Sequence, residues 1–93
     1  MPTDPMTDAP LAEEAPTAET LQDYDFLHLI TYLRLLDAAA EDADWREVAR
    51  IVLNVDPAAE PGRAWRIYET HLRRARWLAD HGHAGLLDAA RPH

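Results

Sequence analysis

The chain contains no Cys and no Ser, and its nine basic residues are all Arg, so it has no Lys either. Without thiols there is no disulfide framework, no thiolate metal site and no thiol nucleophile. Without Lys and Ser there is no Schiff base, no serine nucleophile and no phosphate-cradling loop of the kind that closes on Lys. No apolar run approaches the roughly 20 residues that a membrane-spanning helix needs. The opening Met1-Pro2-Thr3-Asp4 is acidic and has no apolar stretch behind it, so it does not read as a secretory signal. A cytoplasmic location is expected. With 93 residues the chain holds one domain at most.

What is present is unevenly placed. Residues 1–25 carry seven acids and no Arg, whereas residues 26–93 carry ten acids and nine Arg. Nearly all of the net charge of −8 therefore belongs to the first quarter of the chain, and the remainder is close to neutral. Residues 1–22 also hold Pro2, Pro5, Pro10 and Pro16, with few bulky apolar side chains. Such a segment buries too little side-chain surface to offset its ordering entropy, which predicts a disordered acidic leader. Removal of residues 1–20 is then expected to leave the thermal transition nearly unchanged. The alternative for the leader is an acidic mimic of DNA phosphate that folds back on the basic helix described below.

Residues 23–90 read as one all-α domain. A first helix is predicted over about Asp25 to Ala40, capped by Asp23 or Asp25, with Phe26, Leu29, Ile30, Leu33, Leu36 and Ala40 forming one buried stripe. Leu27 and Leu35, with Thr31 between them, lie on a second apolar side. A shorter helix is predicted over Trp45 to Leu53. Asp44 is its N-cap and Glu47 sits three residues on; Trp45, Val48, Ala49 and Val52 turn inward. Residues 54–62 form a long connection containing Asn54, Pro57, Pro61 and Gly62, in which either proline can open a helix. The third helix spans about Arg63 to His81. It has Trp65, Tyr68, Leu72, Ala75 and Ala79 as its core stripe, widened by Ala64, Ile67 and Leu78, and Gly82 follows as the C′ residue. A short last helix, Ala84 to Ala90, returns Leu86 and Leu87 to the core. No stretch alternates with period two, so no strand is predicted.

Little in this sequence points to catalysis or to a cofactor. The histidines, His28, His71, His81, His83 and His93, include no pair four apart on one helix, so no helical metal site is expected. A small helical domain with no base–nucleophile motif and little room for a pocket is not expected to be an enzyme.

The third helix carries the interaction signal. Arg63, Arg66, Arg73, Arg74 and Arg76 lie opposite its core stripe, with Trp77 among them. The i,i+4 pairs Glu69–Arg73 and Arg76–Asp80 are expected to neutralise part of that charge. An Arg face with an aromatic in it can meet nucleic acid, in which case Arg63, Arg66, Arg73 and Arg74 contact phosphates or bases. It can equally dock protein, since Trp and Arg anchor interfaces. Trp77, Leu27 and Leu35 can also be covered from within, by Leu86 and Leu87.

Three helices with a short second and a long third outline a helix-turn-helix, with a turn roughly twice the usual three to four residues. Residues 26 to about 88 resemble the RovC-type DNA-binding domain, an extended-turn helix-turn-helix family of bacteria first catalogued as a domain of unknown function. The resemblance rests on Trp45-Arg46-Glu47-Val48-Ala49, Leu72-Arg73-Arg74-Ala75-Arg76 and Gly82-His83-Ala84-Gly85-Leu86-Leu87. It implies one of two roles. Two-domain members of the family activate transcription on mobile elements; acidic single-domain members act as antiactivators. The short acidic chain fits the second kind. The implied partner is a transcriptional activator of the same family, or a LuxR-type quorum-sensing regulator, and the implied process is control of excision and transfer of an integrative and conjugative element. Leu27, Thr31 and Leu35 are the first candidate docking face and Trp77 the second. No cofactor or metal is implied, DNA binding is not expected, and a monomer is expected because no heptad repeat is present.

Overall fold

The structure is a computed structural model that describes residues 11–90. Among the described residues it is all-helical, with no strand. Five helices follow one another: α1 (Asp23–Leu27), α2 (Leu29–Ala40), α3 (Trp45–Ile51), α4 (Pro61–Asp80) and α5 (Ala84–Ala90).

The first predicted helix is two helices. His28, at φ −119° and ψ 22°, leaves helical geometry and separates α1 from α2. A wheel drawn through that break loses its phase, and Phe26, placed on the buried stripe by periodicity, is 44% exposed. The cap of α1 is Gln22, and Asp25 at N3 accepts its backbone N–H at 2.9 Å. Asp44 caps α3 as predicted, its Oδ1 accepting Arg46 N–H at 3.0 Å. Glu47 turns instead to Arg50. The chain leaves α3 at Ile51 and turns through Asn54 in the left-handed region, φ 56°, a conformation that Asn tolerates better than most residues. Residues 52–60 form the long connection, and Pro61 opens α4, where its missing N–H costs nothing. Gly82, at φ 88°, ends the turn after α4.

α2 and α4 cross at the centre, with α3 against α4 and α5 against both. Two apolar clusters result. Tyr32, Leu33, Ala75, Leu78 and Leu87 fill one side, and Leu35, Val48, Leu53, Ile67 and Leu72 fill the other. Leu36 touches both. The two apolar sides of α2 therefore face two halves of one core. Leu35 is 1% exposed and belongs to the core, which removes it from the candidate docking face.

Residues 11–22 correct the reading of a disordered leader. They run extended along the outer side of α4. Ala15 is buried, Leu11 packs on the second cluster and Leu21 on the first. The rest of the leader, residues 1–10, lies outside the described residues.

Candidate docking surface and the arginine face

The Arg face of α4 is largely occupied by the protein's own groups. Arg74 is not a surface residue: it is 4% exposed and paired with the fully buried Asp25. Its Nε–H donates to Asp25 Oδ1 at 3.0 Å and its Nη2–H to Oδ2 at 2.6 Å, a bidentate fork. Nη1–H donates to the Ala18 carbonyl at 2.6 Å and Nη2–H also to the Thr20 carbonyl at 3.0 Å. The guanidinium lies 4.1 Å over the Trp77 ring. Asp25 also accepts the Tyr32 O–H at 3.0 Å, besides Gln22 N–H. Burial alone would raise the Asp25 pKa, but Arg74, the Gln22 N–H and the Tyr32 O–H outweigh it and hold the carboxyl below its ordinary value. This pair joins the extended segment, α1, α2 and α4 at one point. It is a structural pair, which corrects the placement of Arg74 among nucleic-acid contacts.

Three of the other arginines of this face are paired at the surface. Arg63 Nε–H donates to Glu13 Oε1 at 3.1 Å and Nη1–H to Glu60 at 3.4 Å, and Arg66 approaches Glu13 Oε2 at 3.5 Å. Arg73 pairs with Glu69, as its spacing predicts. Arg76 makes no ion pair among the described residues, so the Arg76–Asp80 pair expected from spacing does not form.

A second polar group is buried beside the pair. His71 is fully buried. Its Nδ1–H donates to the Ile67 carbonyl at 2.6 Å, which leaves Nε2 to accept the Tyr24 O–H at 2.5 Å. The Tyr24 oxygen in turn accepts Ala12 N–H from the extended segment at 3.0 Å. Burial pushes the His71 pKa below its ordinary value, opposed in part by the Ile67 carbonyl, and burial does the same to His28, opposed by Asp25. Burial also pushes the Tyr24 and Tyr32 hydroxyls up. No buried side-chain N or O lacks a partner among the described residues. The sequence carried a signal for this network that the apolar stripe missed. Positions 64, 67, 71, 74, 75 and 78 share one helical face, so His71 and Arg74 sit on the core side of α4 by spacing alone.

Neither families nor curated proteins match this chain in sequence comparison. Among the described residues the exposed large apolar side chains are Phe26 and Leu27 on α1, at 44% and 43%, Ile51 at 73%, and Trp65 at 46%. Trp65 was expected in the core; it stands edge-on to Trp45, ring centroids 5.1 Å apart, with Tyr68 beside both. Thr31, in α2 beyond the break at His28, is half-buried. Trp77 is half-buried between Arg74 on one side and the His81 and His83 rings on the other, so the candidate docking residues divide into exposed Leu27 and covered Trp77 and Leu35. Among the described residues no group of His, Asp and Glu is placed to hold a metal, and no helix is long and apolar enough to cross a membrane.

Proposed function

We propose that this chain is a cytoplasmic, non-enzymatic regulator that binds protein rather than DNA. In this reading it is an antiactivator of the RovC-type domain family. It docks on a two-domain activator of that family and blocks activation of the excision and transfer genes of a conjugative element. The observation that favours protein over DNA is the state of the Arg face. Of the four arginines a groove reader would use, Arg63 and Arg66 face Glu13, Arg73 faces Glu69 and Arg74 is buried on Asp25. DNA affinity comes largely from cations that replace phosphate counterions, and here those cations already have anions. In contrast, Phe26 and Leu27 are adjacent, large and exposed. They form the anchor of the proposed docking face, with Thr31 at its edge.

A gel shift tests this. The activator encoded on the same element is bound to its promoter DNA at about 0.15 M salt, and the chain is titrated in. The expected result is loss of the activator–DNA complex with no complex between the chain and DNA. Leu27→Glu should abolish the effect while leaving the fold intact, since a charge would be buried at the interface. Arg73→Glu should retain it. A salt-sensitive complex of the chain with DNA, lost in Arg63→Glu or Arg73→Glu, would overturn the proposal in favour of a DNA-binding regulator.

A further inference from the structure

The extended segment that lies along α4 is bound as a peptide ligand is bound. Its acid, Glu13, is held by Arg63 and Arg66. Two residues on, the Ala15 side chain is buried and its N–H donates to Thr70 Oγ1 at 3.2 Å. Further along, Arg74 takes the main-chain carbonyls of Ala18 and Thr20. Alternate attachment by side chain and main chain is how an extended peptide is read by a receptor. The fit is incomplete. Between Ala15, Pro16 and Thr17 on one side and Thr70, Arg73 and Trp77 on the other, a mostly apolar hollow of about 140 Å³ is left unfilled.

We propose that the outer face of α4 is a docking channel for an extended acidic segment of a partner protein, which residues 11–20 occupy in cis. The partner segment carries an acid at the place of Glu13, a small residue at the place of Ala15, and a larger apolar side chain where Thr17 stands, filling the hollow by Trp77. A second copy of this chain is a poor occupant. Its segment makes the same contacts without the tether, and a short tether gives the cis segment an effective concentration of about millimolar. Only a segment with contacts that residues 11–20 lack competes. This channel is separate from the Leu27 face and holds whatever the identity of the partner bound there.

The test uses fluorescein-labelled peptides of residues 11–20, one with the native sequence and one with T17L, and anisotropy against the full chain. The full chain is prepared as wild type and as Glu13→Arg/Ala15→Arg, in which both substituted side chains are repelled by Arg63, Arg66 and Arg73 and the segment leaves its place. The T17L peptide should bind the double variant at least tenfold more tightly than the wild type, and more tightly than the native peptide does. Added Arg63→Ala/Arg66→Ala should weaken it about fivefold, the sum expected of two exposed ion pairs. Equal affinity of both chains for the peptide, or no binding to the double variant with its near-ultraviolet circular dichroism intact, overturns the proposal. So does a concentration-dependent dimer that takes up the segment in exchange. If the double variant does not fold, amide exchange of the wild type decides. Protection at Ala15 should fall below that of α2 and α4 and decrease further as salt is added, since salt screens the Glu13 pairs; protection at Ala15 equal to that of the core and indifferent to salt overturns the proposal.

Discussion

Replacing Arg74 by Met keeps an aliphatic stem of similar length over Trp77 and removes the guanidinium. Asp25 is then left with Gln22 N–H and Tyr32 O–H but without a cation, at 0% exposure. Removing one member of a buried pair costs about 3–5 kcal/mol. The loss has a ceiling, because Asp25 can take up a proton instead. From an ordinary value of 3.8, neutralising it costs about 4 kcal/mol at pH 7 and about 1.6 kcal/mol at pH 5, at 1.36 kcal/mol per pH unit. The freed carbonyls of Ala18 and Thr20 belong to exposed residues, where water replaces the lost donors. The expected destabilisation is thus about 4 kcal/mol at pH 7, shrinking toward pH 5. That is a large part of the total stability of a domain of this size. Urea unfolding followed by circular dichroism and Trp fluorescence at both pH values measures it. Asp25→Leu/Arg74→Met should be less damaging than Arg74→Met alone, because no charge is then stranded. A loss under about 1 kcal/mol at pH 7, or one that does not shrink on acidification, would refute the argument, since lost packing alone does not follow the protonation of a carboxyl.

Deleting residues 11–20 should destabilise the fold by about 1–3 kcal/mol through exposure of the Ala15 contact and the partners of Arg74, and a thermal melt of the truncated chain checks it. Leu35→Glu should prevent folding, whereas Leu27→Glu should leave the circular dichroism spectrum unchanged, because the first is 1% and the second 43% exposed. Acid should weaken the fold through His28 and His71. Both have folded values below the ordinary 6.5, so the unfolded chain binds more protons. Their contribution is present above pH 6.5 and is lost as pH falls below it, by up to about 1.4 kcal/mol per pH unit for each, and urea midpoints between pH 7.5 and 5.5 should fall accordingly.

The helices were legible where local chemistry sets them. Asp44, Asn54, Pro61 and Gly82 each mark a helix end that the structure has, because caps and turn residues act on their own backbone. Periodicity fails where it is carried across His28, and it leaves Leu35 open between core and docking face because two apolar sides of a helix look alike whether they meet two clusters or one cluster and a partner. Residues 11–22 were misread for another reason. Counting apolar side chains measures one kind of attachment, and this segment is held by main-chain groups, by one small side chain and by an ion pair. The buried Asp25–Arg74 pair was hidden because a charged residue in a helical pattern is ordinarily assigned to solvent.

Arg74 meets Asp25, Thr20 and Ala18 across 49, 54 and 56 residues of chain. During synthesis all three are made before Arg74 exists. Until then Asp25 has no cation, stays in water, and gives α1 and residues 11–22 nothing to settle on. The segment that is made first is therefore among the last to be placed, and its docking reports that α4 has been completed to at least its fourteenth residue. A nascent chain halted before residue 74 should have residues 11–22 open to protease, and one released past the end of α4 should not.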